Sequence, residues 1–292
     1  PNRMANFAGC VCASSKLAHR FWELAQTQPA KLAIRFGMPG HTADFDFAKF
    51  WRRVERITGH LQMTHGLTLG QRVAWLGLNH ELQLVTLVAC ARLGLIVMPL
   101  NFRLATAELR VVLEDAKPSM LIHDALHAEV AQSLSRNGVP SDSLESFISS
   151  PSLQNLLLPD LANDADVLLV YTSGTTGHPK GAVHTQSGLL ANAKASLEAH
   201  EFKSTDIVLS TLPLFHVGGL CIQTLPALLA GVSVHLHPRF DAVAWLSDVS
   251  TAEPEERPTL SLLVPATMRA VLEHPLWPSV NLRCLRGIMA GS

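Results

Sequence analysis

The stretch Tyr171-Thr172-Ser173-Gly174-Thr175-Thr176-Gly177-His178-Pro179-Lys180-Gly181 limits what this 292-residue chain can fold into more than any other. It follows Val167-Leu168-Leu169-Val170, an apolar run with the length and composition of a buried strand. Residues 172–181 hold four hydroxyl side chains, three glycines and one lysine. Glycine lets the backbone take positive φ and brings main-chain N–H groups close to a ligand, while the hydroxyls add donors and the lysine a flexible charge. A strand that opens into such a loop makes a phosphate cradle on a rigid platform. A solvated turn needs far fewer donors. The spacing is not that of a Walker A loop, because Lys180 lies three residues past Gly177 and is followed by Gly181; nor is it the dinucleotide fingerprint.

Hydrophobic periodicity sets out the rest of the chain as alternating strands and helices. Before the loop the pattern predicts a helix over Leu17–Gln26, a strand over Lys31–Phe36, a turn at Gly37–Gly40 and a helix over Phe45–His60. A buried strand Arg72–Leu78 follows, then a helix from an Asn79 N-cap to Gly94, a strand Leu95–Leu100, a helix capped by Thr106 through Asp115, and a strand Ser119–His123. After the loop come a helix capped by Thr185 through His200, a strand Asp206–Leu212, a helix Leu220–Ala230 and a strand Val232–Leu236. The series closes with a helix Asp241–Ser250, a strand Leu260–Val264, a helix from Met268 and a strand Leu282–Met289. This rhythm is the mark of the α/β class and of a doubly wound parallel sheet. The expected division is a tail at 1–15 open to disorder, a first α/β subdomain at 16–132, a polar connecting segment at 133–163 and a second, similar subdomain at 164–292 that carries the loop.

Composition removes several function classes. A formal net charge of −1, with no cluster of Lys and Arg, gives no electrostatic footprint for nucleic acid. The most apolar window, Leu82 to Leu100, contains Arg92, Gly94 and Pro99 and reads as a helix plus a strand, so no transmembrane segment is expected. No secretory signal is visible at the N-terminus, and the five cysteines, Cys10, Cys12, Cys90, Cys221 and Cys284, fit reduced thiols, which makes the cytoplasm the default location. No metal site is expected: His235-x-His237 has no third ligand nearby and reads as a surface pair. A second informative stretch is Pro213-Leu214-Phe215-His216-Val217-Gly218-Gly219, where Pro and two glycines force an irregular turn at a strand end, the place where open α/β sheets bind ligands. A core histidine satisfied by a backbone carbonyl is the plain alternative for His216.

The string Tyr-Thr-Ser-Gly-Thr-Thr-Gly-x-Pro-Lys-Gly at 171–181 resembles the phosphate-binding signature of the adenylate-forming superfamily at every fixed position. That superfamily includes acyl-CoA synthetases, aryl-CoA ligases, firefly luciferase and the adenylation domains of peptide synthetases. The segments Val73–Asn79, Val97–Asn101 and Pro213–His216 are similar to their counterparts there. The resemblance implies the large N-terminal domain of that fold, with parallel or mixed sheets flanked by helices in two similar subdomains, truncated before its remaining strands and the small C-terminal domain. It implies ATP-dependent activation of a small-molecule carboxylic acid to an acyl-adenylate with release of pyrophosphate, then thioester formation on coenzyme A, with Mg²⁺ as helper. Thr172, Ser173, Gly174, Thr175, Thr176, Gly177 and Lys180 would hold the nucleotide phosphates, and Lys180 and His216 would be catalytic. Phe215, His216, Val217 and Gly218 would line the acyl pocket, while Gly291 and Ser292, in the place of a Gly-Gly-Ala-like turn, would touch the adenine.

Asn101-Phe102-Arg103-Leu104 and the apolar surroundings of His216 resemble fatty-acyl and o-succinylbenzoate-CoA ligases more than peptide synthetase modules. The downstream family signatures are absent up to Ser292, so the stretch read here is expected to be inactive by itself. The alternative is a catalytically silent nucleotide-binding or scaffold protein.

Overall fold

The computed structural model describes residues 15–136, 138–149, 156–162, 164–172, 179–251 and 253–291. Helix α1 (Lys16–Thr27) starts where Ser15 Oγ accepts the Ala18 N–H and buries Leu17, Phe21 and Leu24 on one stripe. Strands β1 (Leu32–Met38) and β2 (His41–Asp46) form a hairpin, and α2 (Phe47–Gly59) follows directly, capped by Asp46. Next come β3 (Arg72–Leu76), α3 (Glu81–Leu93), β4 (Ile96–Pro99), α4 (Thr106–Ala116), β5 (Met120–His123), α5 (Ala128–Ser135), β6 (Ser141–Ser143) and α6 (Leu144–Ser149).

The second half repeats the plan. A hairpin of β7 (Asp166–Thr172) and β8 (Lys180–Thr185) runs into α7 (Gln186–His200), which Thr185 caps as expected. Then follow β9 (Ile207–Ser210), a helical turn α8 (Val217–Gly219), α9 (Leu225–Leu229), β10 (Ser233–Leu236), α10 (Ala242–Val249), β11 (Leu260–Leu263), α11 (Pro265–Leu272) and β12 (Gly287–Ala290).

The strands make two six-stranded sheets, in the orders β12-β11-β9-β10-β1-β2 and β6-β5-β3-β4-β7-β8. Each is parallel except for one antiparallel edge strand, β2 in the first and β8 in the second. The halves therefore exchange their leading hairpins: β1–β2 joins the strands of the second half, and β7–β8 joins those of the first. The expected boundary at 133–163 marks where the plan starts again, but the sheets cut across it. That connecting segment also holds regular structure, since β6 extends the sheet beside β5 and α6 buries Leu144 and Phe147.

Helix α3 is buried at every position, its apolar residues facing all round and even Glu81, Gln83, Thr86 and Arg92 enclosed. Its one basic residue, Arg92, stacks over Trp51 with the guanidinium carbon 4.9 Å from the ring centre. Gly94 ends α3 at φ +65°, the left-handed cap expected of it. The apolar window Leu82–Leu100 is thus α3 plus β4, and no helix among the described residues is long and apolar enough to cross a membrane.

Several local readings need correction. Asn79 does not cap α3; His80 does, through Nδ1, which accepts the Leu82 N–H, and Asn79 has another task described below. Thr106 is the first helical residue rather than the cap, and Glu108 reaches back to the Ala105 N–H. Helix α11 begins at Pro265, three residues ahead of Met268, using proline at the position where its missing N–H costs nothing. The last strand covers only the end of Leu282–Met289, because the chain first turns, with the Leu285 N–H on the Leu282 carbonyl at 2.9 Å; Arg286, just before the strand, pairs its side chain with the buried Asp206 carboxylate at 2.6 Å and donates to the His200 and Glu201 carbonyls. His235 and His237 are 4% and 2% exposed, so they are core residues and not a surface pair.

Candidate active site

Parallel strands present their following loops at one edge, and here both sheets do so toward a common cavity of about 710 Å³. Asn79 comes from the loop after β3, Phe102 and Arg103 from that after β4, and Thr211 to Gly219 from that after β9. Pro238 to Phe240 follow β10, Val264 to Thr267 follow β11, and Gly291 follows β12.

Asn79 fixes this convergence. Its amide nitrogen donates to the Leu212 and His237 carbonyls, both at 3.0 Å, its side-chain oxygen accepts the Leu214 N–H at 2.8 Å, and its own N–H donates to the Pro238 carbonyl at 3.0 Å. One buried side chain at the end of β3 thereby ties down the exits of β9 and β10, which belong to the other sheet. Its amide is fully employed, so any substitution leaves buried backbone groups unpaired.

The turn after β9 is equally determined. A Cβ on Gly219 would stand 2.2 Å from the Pro213 carbonyl oxygen, so only glycine allows this closeness of backbone to backbone. His216 is exposed, and its Nδ1 accepts the Gly218 N–H at 3.0 Å, which orients the ring and leaves Nε2 directed away from that bond. The reading of His216 as a core histidine held by a carbonyl is therefore excluded. Phe215 meets Phe102 edge to face at 5.3 Å, and the Arg103 guanidinium lies 5.7 and 5.8 Å from the two ring centres. Phe240, Ile222, Leu262 and Val264 extend the apolar lining, while Arg103 and Arg239 are exposed cations at it. Thr211 is 1% exposed, and its Oγ1 has no partner among the described residues, so a polar group of a ligand would satisfy it. Cys221 is no nucleophile here, because burial pushes its thiol up to about 12.

Of the residues singled out in the sequence, Phe215, His216, Gly218 and Gly291 line the cavity. Val217 does not, and packs against the main core instead. Thr172 and Lys180 face each other as the last residue of β7 and the first of β8, and the Thr172 hydroxyl donates to the Lys180 carbonyl at 3.5 Å. Since β7 runs parallel to β4, Thr172 ends at the same edge of the sheet from which Phe102 and Arg103 emerge. Ser173, Gly174, Thr175, Thr176, Gly177 and Ser292 lie outside the described residues. The base of the hairpin is braced by Tyr171, whose hydroxyl donates to Asp115 and is held well above its usual pKa, first by burial and then by that carboxylate. Sequence reasoning missed Asn79, Phe102, Arg103, Thr211 and Arg239 as site residues. Only the two arginines carried a usable signal, a charge just past the carboxyl end of a parallel strand.

The model of the family described as AMP-binding enzyme matches residues 21–292. The chain belongs to that family. Among its curated relatives, this AMP-binding family member is 40% identical over 281 residues to the indoleacetate–CoA ligase of Aromatoleum aromaticum, covering 92% of this chain and 53% of the relative. It is 39% identical over 272 residues to a feruloyl-CoA synthase of an Amycolatopsis species, covering 91% and 52%. The chain thus spans about half the length of these relatives. Among solved structures, the inhibitor-bound N-terminal domain of FACL13 from Mycobacterium tuberculosis superposes with a TM-score of 0.84 at 25% identity, over 94% of this chain and 69% of that one. The mixed sheets flanked by helices are those of N-terminal domains of adenylate-forming enzymes.

Proposed function

We propose that the intact gene product is an AMP-forming acid–thiol ligase that activates an aromatic carboxylic acid with ATP and transfers it to coenzyme A. The observation that carries this reading is the single cavity where the strand exits of both sheets meet, which combines an apolar, aromatic lining with Arg103, Arg239 and His216. Such a lining suits an anion with an apolar body. The edge-to-face pair of Phe102 and Phe215 favours an aryl or arylalkyl acid, and the aromatic acids of its relatives, an indoleacetate and a feruloyl ligase, point the same way.

In the first half-reaction a carboxylate oxygen of the acid attacks the α-phosphorus of ATP, and the bond to pyrophosphate breaks. Two anions must meet, so the protein contributes position and neutralising charge. Lys180 and Thr172, with Ser173, Gly174, Thr175, Thr176 and Gly177, hold the phosphates. His216 orients the carboxylate, and Gly291 with Ser292 contacts the base. In the second, the thiol of coenzyme A loses its proton to solvent, its sulfur attacks the acyl carbonyl, and the bond from that carbonyl carbon to the AMP oxygen breaks so that AMP leaves. Mg²⁺, bound with the nucleotide, would neutralise phosphate charge; the cavity lining among the described residues holds no carboxylate. The free Cys90, Cys221 and Cys284 accord with a cytoplasmic location.

The test is pyrophosphate release by the intact gene product with ATP and Mg²⁺, over a panel of aryl, arylalkyl, fatty and amino acids, with and without coenzyme A. Release that requires an aromatic acid, with steady turnover only when coenzyme A is present, is the expected result. A folded protein that binds ATP but releases no pyrophosphate with any acid would instead be the silent nucleotide-binding protein.

A further inference from the structure

Far from the cavity, α2 does not end in an ordinary cap. It widens into a π turn over His60–Thr64, closed by the His65 N–H on the His60 carbonyl at 3.2 Å. The wider turn brings residues five apart onto one face, and such bulges recur at functional sites. Its effect here is to aim His60 Nε2 and His65 Nε2 at each other, 3.1 Å apart. Asp142 of β6 completes the group, with its Oδ2 at 3.1 Å from His60 Nε2 and 3.2 Å from His65 Nε2. The other carboxylate oxygen, Oδ1, accepts the Ser143 N–H at 2.9 Å, which fixes the direction of Oδ2. His60 is 6% exposed and its Nδ1 has no partner among the described residues, so every polar contact of this buried ring is made at the cluster. Phe147 packs edge-on against the His60 ring at 4.8 Å and shields one side of the group.

Three ligand atoms at the corners of a nearly equilateral triangle are hard to satisfy with protons. A proton between any two corners leaves the third corner about 60° off the line of that bond, where a hydrogen bond is lost. A cation on the axis of the triangle satisfies all three together. An ion about 2.1 Å from each atom would see them at angles of roughly 95° to 100°, a facial set of two imidazoles and one carboxylate. We propose that His60, His65 and Asp142 bind one divalent transition-metal ion, Zn²⁺ by the chemistry of the donors, with water in the remaining positions. The ion fastens the end of α2 to β6. Because β6 and β8 are the opposite edges of one sheet, five strand spacings or roughly 24 Å separate it from the phosphate hairpin, so its work is structural or regulatory.

The experiment uses the intact gene product, without a polyhistidine tag and stripped by chelator, titrated with Co²⁺ by visible absorption and with Zn²⁺ by calorimetry. One ion per chain and a rise in Tm with Zn²⁺ are expected. His65→Gln and Asp142→Asn should each weaken binding at least about tenfold, while His41→Gln, an exposed histidine elsewhere, should bind as the native protein does. X-ray absorption of the Zn²⁺-loaded native protein, which needs no variant, should show two imidazole nitrogens with oxygen and no sulfur. Native protein that takes up no more Co²⁺ than Asp142→Asn, or zinc ligated by sulfur, would overturn the proposal.

Discussion

Two units of the molecule share one plan and differ in one connection. In β1–β2–α2 a seven-residue and a six-residue strand pair antiparallel and lead straight into a helix capped by Asp46; in β7–β8–α7 the lengths are the same and the cap is Thr185. Both pairs carry a register shift one residue in from the start, between Leu32 and Ile34 and between Asp166 and Leu168. Both outer strands are exposed over four residues and half-buried over the last two. Yet β1 reaches β2 through Pro39 and Gly40 alone, whereas β7 reaches β8 through residues 173–179. The first connection is all that closing the edge of a sheet requires. The second connection uses five more residues than that for the same join, and they bring hydroxyls and glycines and lead to a lysine. Surplus of this kind is where ligand chemistry is to be sought.

Replacing 173–179 with a two-residue Asn-Gly turn breaks the comparison most directly: the protein should fold with a Tm within a few degrees of native and lose adenylation by at least about 10³-fold, measured as pyrophosphate exchange. Loss of folding would show that the longer loop has a structural role after all. Lys180→Ala should lower adenylation by about 10²- to 10³-fold while slowing thioester formation from preformed acyl-adenylate much less; equal losses in both half-reactions would remove Lys180 from the phosphates.

The first unit should answer in stability and not in chemistry. In Gly37→Ala the new Cβ would stand 2.2 Å from the His41 carbonyl oxygen at φ +131°, so a loss of about 1–3 kcal/mol in denaturant unfolding is expected, with an unchanged KM for ATP. Finally, β1 lies against β10 with Arg35 paired to His235, whose pKa is lowered to about 4, by burial first and with Arg35 contributing. As pH falls below about 6.5 the unfolded chain takes up this proton before the folded one, so stability should drop by about 1–2 kcal/mol from pH 7 to 5 and level off below 4. His235→Leu should flatten that slope, and a slope unchanged in the variant would assign it to other groups.

Local chemistry was legible in the sequence wherever a side chain acts on its own backbone. Thr185, Asp241 and Gly94 end or begin helices where their types say they should, and the alternation of strands and helices gave the class. What was hidden depends on distant partners. Asn79 has the composition of a helix cap, but three backbone groups of the other sheet claim its amide. Arg286 carries no sign in its neighbours of its side-chain partner, the buried Asp206, 80 positions away. His60 and His65 have no partner in sequence, because Asp142 reaches them only through the pairing of β6 with β5. At the site, proline and glycine announce an irregular strand end and the family resemblance named the residues on it; Phe215, His216 and Gly218 do line the cavity, whereas Val217, between them, faces the core for reasons of local geometry that spacing does not reveal.

The exchanged hairpins also set a timetable for synthesis. Ile34 pairs with Val234, so β1 leaves the ribosome about 200 residues before its parallel neighbour exists. At about 5–20 residues per second this is roughly 10–40 s during which a finished hairpin has one unclaimed edge. Such an edge is an invitation to other chains, so the exchange of hairpins makes the nascent form the stage at which chaperone protection matters most.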